Sequence, residues 1–137
     1  MTQQLNCILL VDDDEATNFL HTLIIEELQC TKKVIACDKA QKALDYLRAQ
    51  QEEDYLRPDL ILLDINMPAM DGWDFLDEYK KLDETQRAKI IIVMLTTSLN
   101  PDHEEKAKTY EEINGFRHKP LSVPMLKNLI KEYFEEE

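Results

Sequence analysis

The stretch Leu60-Ile61-Leu62-Leu63-Asp64-Ile65-Asn66-Met67-Pro68-Ala69-Met70-Asp71-Gly72 decides the fold. Four consecutive apolar residues bounded by turn formers are too few for a helix and read as a short buried strand. The strand runs into a carboxylate, and the Met-Pro and Asp-Gly pairs beyond it turn the chain. Asp64 is therefore expected at the tip of a buried strand, held by rigid backbone and exposed to solvent. Three further strand-like runs end in chemistry of a similar kind. Cys7-Ile8-Leu9-Leu10-Val11 ends in Asp12-Asp13-Asp14, Ile90 to Leu95 ends in Thr96-Thr97, and Phe116-Arg117-His118 ends in Lys119-Pro120.

Between these runs, apolar residues recur with helical spacing. Ala16, Phe19, Leu20, Leu23, Ile24 and Leu28 fall on one face of a first helix. A β-branched run from Lys33 to Cys37 follows, then a helix anchored by Ala40, Ala43, Leu44 and Leu47. The helix after Asp64 turns Phe75, Leu76, Tyr79 and Leu82 inward. Asn100 is a suitable N-cap, with Pro101 at the first helical position. The helix it opens is sparsely anchored, by Ala107, Tyr110 and Ile113, and Asn114-Gly115 is expected to stop it. Ser122 caps a last helix carrying Val123, Leu126, Ile130, Tyr133 and Phe134. Five strand–helix repeats imply a parallel sheet with right-handed crossovers and helices on both faces. Ligands of such sheets bind beyond the carboxyl ends of the strands. Asp12, Asp13, Asp64, Thr96 and Lys119 all fall there.

Acids gathered at one end of a sheet have a physical consequence. Two carboxylates ~4 Å apart repel by roughly 4 kcal/mol at an effective dielectric near 20. Such a cluster takes up protons or recruits a cation. Oxygen donors without His or Cys favour a hard divalent ion, and a few carboxylates completed by water suit Mg²⁺.

In order along the chain, the Asp12-Asp13 pair, the Asp-x-x-Met-Pro-x-Met-Asp-Gly stretch from Asp64 to Gly72, Thr96 and Lys119-Pro120 resemble the receiver domain of two-component response regulators, over essentially all 137 residues. The resemblance implies a flavodoxin-like, doubly wound α/β fold with five parallel strands in the order 2-1-3-4-5. It implies a single receiver domain, residues 1–137, with no output domain. It also implies Mg²⁺ held by Asp13, Asp64 and the Asn66 carbonyl, with Asp12 acting mainly through water and Asp14 pointing away. Asp64 would accept a phosphoryl group, and Lys119 and Thr96 would meet its oxygens. Thr97 stands where the family usually carries a small residue, which narrows access to the phosphate. The Lys119-Pro120 bond is expected to be cis. Thr96 and Phe116 would form a coupled switch, with output through the fourth helix, fifth strand and fifth helix.

The implied partners are a sensor histidine kinase or His-containing phosphotransfer protein, and a downstream protein target. The implied role is signalling rather than enzymatic. A relay carrier and a phosphorylation-independent interaction module are the alternative readings, and the intact Asp12, Asp13, Asp64, Thr96 and Lys119 set opposes the second. A haloacid-type phosphatase also uses a strand-end Asp with Mg²⁺, but it needs a second acid two residues on, where this chain has Asn66.

Composition excludes other classes. A net charge of −12 argues against direct nucleic-acid binding, which needs a basic stripe along the phosphates. No apolar run approaches the ~20 residues of a membrane helix, and Met1 to Asn6 lacks signal-peptide features. Cys7, Cys30 and Cys37 lack paired spacing, so neither disulfides nor a zinc site are expected, in keeping with a reduced cytoplasmic protein. His21, His103 and His118 are too dispersed for a metal site and read as surface or packing residues. Trp73 reads as a partly exposed aromatic at a helix start. Glu52-Glu53-Asp54 and Glu135-Glu136-Glu137 read as solvated charge.

Overall fold

Five strands build one sheet: β1 (Leu5–Val11), β2 (Thr31–Cys37), β3 (Leu60–Leu63), β4 (Ile91–Thr96) and β5 (Ile113–His118). The computed structural model describes residues 4–50, 52–53, 55–87 and 89–134. Glu52 and Glu53 are exposed, while Asp54 and the terminal Glu135-Glu136-Glu137 lie outside the described residues. The strands are all parallel and run in the order β2-β1-β3-β4-β5.

Successive side chains of a strand point to opposite faces, and both faces here are apolar. Leu9, Val11, Ile61, Leu63, Ile92 and Met94 belong to one core, and Ile8, Leu10, Leu60, Leu62, Val93 and Leu95 to the other. That is why the central runs are continuous rather than alternating in hydrophobicity. The first core is covered by α2 (Ala40–Arg48), α3 (Gly72–Tyr79) and α5 (Pro101–Ala107), through residues such as Leu44, Phe75 and Ala107. The second is covered by α1 (Glu15–Leu28) and α6 (Val123–Phe134), through Ile25, Leu126 and Ile130. A one-turn helix, α4 (Glu84–Arg87), is an addition that the apolar spacing did not signal. The three thiols are free and buried.

Caps follow the expected chemistry. Asn100 Oδ1 accepts from the Asp102 N–H at 3.0 Å, and Ser122 Oγ accepts from the Met125 N–H at 3.2 Å. Asp71 and Asp74 form a reciprocal capping box at the start of α3.

Three expectations are corrected. The apolar face assigned to α1 is largely turned outward: Phe19, Leu20 and Leu23 are 64%, 57% and 47% exposed. Asn18, His21 and Ile25 are buried instead, with Ile24 and Leu28 at the margin of the second core. The inner face is set by two polar side chains that have loop partners, described below.

The helix after Asn100 ends at Ala107, so Ile113, Asn114 and Gly115 belong to β5 rather than to a helix and its stop. The register of β4 against β5 shifts between Ile92 and Val93, and Asn114 Oδ1 accepts from the Ile92 N–H at 2.9 Å there. Gly115 lies under the Tyr133 hydroxyl, which a Cβ would approach to 2.7 Å.

Trp73, finally, is buried at 8% exposure. Its ring packs on Tyr110, with centroids 5.5 Å apart, while the Lys106 ammonium sits 4.6 Å above it.

Candidate functional site at the carboxyl edge of the sheet

The acids arrive by extension of the parallel ladder. The Asp64 N–H donates to the Val11 carbonyl at 2.9 Å and the Asp12 N–H to the Cys37 carbonyl at 3.1 Å. Both carboxylates are thus fixed by backbone that continues the strands. Asp12, Asp13 and Asp64 each bring a carboxylate oxygen within 4.8 Å of the others. Lys119 reaches the same point from β5: its Nζ bonds Asp12 Oδ2 and lies 3.3 Å from Asp64 Oδ1. Its own N–H donates to the Thr96 carbonyl at 2.8 Å, tying the loop after β5 to the end of β4. The Lys119–Pro120 bond is cis.

Asp12 and Asp64 are only 4% and 7% exposed, whereas Asp13 is open to solvent. The expectation of an exposed Asp64 is therefore corrected: the strand tip is sheltered, and Asp13 forms the accessible side. Asp12 Oδ1 accepts from the Asp14 N–H at 2.9 Å, which turns the chain into α1. Asp14 itself bonds Thr17 and faces solvent, away from the cluster. Burial raises the Asp64 carboxyl above its usual range; Lys119 opposes this and the Asp12 charge adds to it. Burial works against the Lys119 ammonium, but Asp12 and Asp64 outweigh it and hold the group firmly charged.

Beneath the cluster, the turn from β3 to α3 comes close to the strand end. The Gly72 N–H donates to the Ile65 carbonyl at 2.8 Å, and a Cβ on Gly72 would lie 2.4 Å from the Asp64 carbonyl oxygen. Asn66 is exposed on that turn.

Thr96 is fully buried, and its Oγ1 accepts from the Ser98 N–H at 3.0 Å, which leaves the hydroxyl proton available. Thr97 is exposed at the rim. Phe116 stands apart from the acids, half-buried against the first core, its ring edge-on to His118 at 5.7 Å. His118 is exposed, and His103 bonds Ser98 Oγ at 2.6 Å.

Of two polar residues on α1, Asn18 was not singled out from the sequence, and His21 was read there only as a surface or packing residue. Asn18 Nδ2 donates to the Asp12 carbonyl at 2.8 Å, and His21 Nε2 accepts from the Leu121 N–H at 3.4 Å. The available signal was their i, i+3 spacing, which puts both on one face of α1.

Residues 8–131 match the family model described as the response regulator receiver domain. The chain belongs to that family. It is 35% identical to the probable methanogenesis regulatory protein FilR2 of Methanothrix harundinacea over 93% of this chain and 81% of that protein. The crystal structure of a two component response regulator from Cytophaga hutchinsonii superposes with a TM-score of 0.86 at 29% identity, covering 98% of this chain and 100% of that one. The phosphorylated cyanobacterial phytochrome response regulator RcpA gives a TM-score of 0.72 at 31% identity, covering 93% and 90%. Receivers are signalling proteins, and among the described residues no helix is long and apolar enough to cross a membrane.

Proposed function

We propose that this receiver takes a phosphoryl group onto Asp64 from a phosphohistidine of a sensor kinase or phosphotransfer protein, and signals by the change of shape that follows. The observation that carries the reading is the convergence of Asp12, Asp13 and Asp64 on one point with the Lys119 ammonium among them. In the transfer an Asp64 carboxylate oxygen forms the new P–O bond while the P–N bond of the donor breaks, and the imidazole keeps the electron pair. The protein's task is positioning and charge neutralisation. Lys119 is placed to meet phosphoryl oxygens on one side, and the free proton of Thr96 to meet another. The similar regulator RcpA is known in a phosphorylated form, which supports the same chemistry here.

The donor set fits Mg²⁺: three carboxylates, oxygen only, with one of them solvent-facing. Asp13, Asp64 and the Asn66 carbonyl would hold the ion, with Asp12 acting through water. Bound there, it would supply positive charge in addition to that of Lys119. Acetyl phosphate with Mg²⁺ should add one phosphoryl group, read by intact mass. No label, or equal label in EDTA, overturns the reading. Asp13→Asn is expected to weaken Mg²⁺ binding more than Asp12→Asn does, checked by titration; equal losses contradict the assignment of direct ligands.

Phe19, Leu20 and Leu23 on α1 and Leu99, 86% exposed beyond β4, offer the donor a docking surface. On the output side, Thr96 and Phe116 act as the coupled pair, through the face formed by α5, β5 and α6. The inward state of Phe116 gains ~2 kcal/mol at most from burial, since phenylalanine has no hydroxyl to bond. Beryllium fluoride is expected to shift the amide NMR signals of Phe116 and of α5. Changes confined to the loops around Asp64 overturn the switch.

A further inference from the structure

We infer that His21 is a positioning residue for phosphoryl transfer, whose imidazole fixes the loop that carries Lys119. The inference rests on the function proposed above. Strand β5 ends at His118 and α6 begins at Val123, so Lys119-Pro120-Leu121 forms most of the connection. Backbone donors held away from water must be accounted for, and Lys119-Pro120-Leu121 has only two N–H groups, because proline has none. The Lys119 N–H goes to the Thr96 carbonyl at 2.8 Å, and the Leu121 N–H goes to His21 Nε2 at 3.4 Å. Leu121 is 2% exposed and His21 is 4% exposed, so water cannot replace either partner. Lys119 thus hangs between two anchors, one on β4 and one on α1.

An imidazole nitrogen accepts a hydrogen bond only when it carries no proton. With Nε2 accepting, the neutral ring holds its proton on Nδ1. Burial and then the nearby Lys119 ammonium keep this ring uncharged, against the weaker pull of Asp12. One helical turn earlier, Asn18 holds the other side of the site through the Asp12 carbonyl. One face of α1 therefore grips both the loop that bears the acids and the loop that bears the base. This double grip accounts for the outward turn of Phe19, Leu20 and Leu23.

The test compares His21→Leu, which keeps bulk without an acceptor, with His21→Gln, whose carbonyl oxygen can stand near the place of Nε2. With acetyl phosphate and saturating Mg²⁺, His21→Leu is expected to phosphorylate about tenfold more slowly than the parent protein. His21→Gln is expected to recover most of that rate, with Mg²⁺ affinity unchanged in both. A packing role alone would lower the stability of both variants without separating their rates. Equal rates in the two variants overturn the inference. Should His21→Leu fail to fold, nitrogen-15 NMR of the unaltered protein decides. A ring protonated on Nδ1 alone sustains the inference, and one protonated on Nε2 overturns it. Failure of the unaltered protein to take any label sinks the proposed function and leaves the tautomer result standing on its own.

Discussion

Asp64→Asn is expected to abolish labelling by acetyl phosphate and, in the same sample, to raise the melting temperature of the metal-free protein at neutral pH. The first effect follows from loss of the nucleophilic oxygen; Asp12, the other strand-tip acid beside Lys119, has its two oxygens occupied by the Lys119 ammonium and the Asp14 N–H. The second follows from the direction in which burial pushes the Asp64 carboxyl. A carboxyl whose folded-state pKa lies above its unfolded value binds its proton more tightly in the native state. It therefore favours folding below the unfolded pKa, roughly pH 4, and that contribution is lost as pH rises through the folded value. At neutral pH the ionised, sheltered carboxylate opposes folding, and the amide removes this opposition while keeping the shape. Melting curves of parent and variant in EDTA should diverge at neutral pH and converge below roughly pH 4. Mg²⁺ should narrow the neutral-pH gap, because a cation offsets the cost of the sheltered negative charge. A variant that melts lower at neutral pH without metal contradicts the electrostatic account, and one that still takes label contradicts the assignment of Asp64.

Gly72→Ala is expected to be the most damaging small substitution in the chain. Its Cβ would stand 2.4 Å from the Asp64 carbonyl oxygen, 3.0 Å from Ile65 Cα and 3.3 Å from the Asp64 carbonyl carbon, all backbone atoms. Neither strand nor helix can give way cheaply, because the Gly72 N–H is bonded to the Ile65 carbonyl across the same gap. Overpacking of a tight site costs about 1–3 kcal/mol and occasionally more, and this position belongs at or above the top of that range. Gly115→Ala supplies the comparison. Its Cβ meets the Tyr133 hydroxyl at 2.7 Å, the end of a side chain that can swing aside at the loss of one hydrogen bond to Asn114. Urea unfolding of the two variants should rank Gly72→Ala well below Gly115→Ala. The phosphorylation rate should fall steeply only in Gly72→Ala, since only that substitution pushes on the strand end bearing Asp64. Equal stability losses would remove the case for backbone contact.

The parts of the fold legible from sequence were those fixed by local pattern. The run Leu60–Leu63 is a strand buried on both faces because every one of its side chains is apolar, and its neighbours in the sheet behave alike. Strand ends that bear acid, acid, hydroxyl and base were legible for the same reason, and the sheet brings all four to one edge. The orientation of α1 was not legible. Phe19, Leu20, Leu23 and Ile24 make a plausible inner face, and the residues that decide against it, Asn18 and His21, find their partners 6 and 100 positions away. No window along the helix contains that information. The Asn114-Gly115 pair misled for a related reason. Its local chemistry is that of a helix stop, but its use here depends on the Ile92 N–H and the Tyr133 ring, brought from distant segments. Trp73 was underestimated because the ring that shelters it, Tyr110, arrives from beyond α5. The sheltering of Asp64 was not legible either, because it depends on the loops from β1 and β5 closing over the strand tip.

The burial of Cys7, Cys30 and Cys37 makes the molecule a quiet background for chemical labelling. Burial pushes the Cys7 and Cys37 thiols up to about 11 and raises that of Cys30 as well. At neutral pH only about one in ten thousand of the first two groups is in the reactive thiolate form. A cysteine introduced in place of the exposed Leu99 would therefore carry a fluorophore to a single address beside the site, with all three native thiols left in the core.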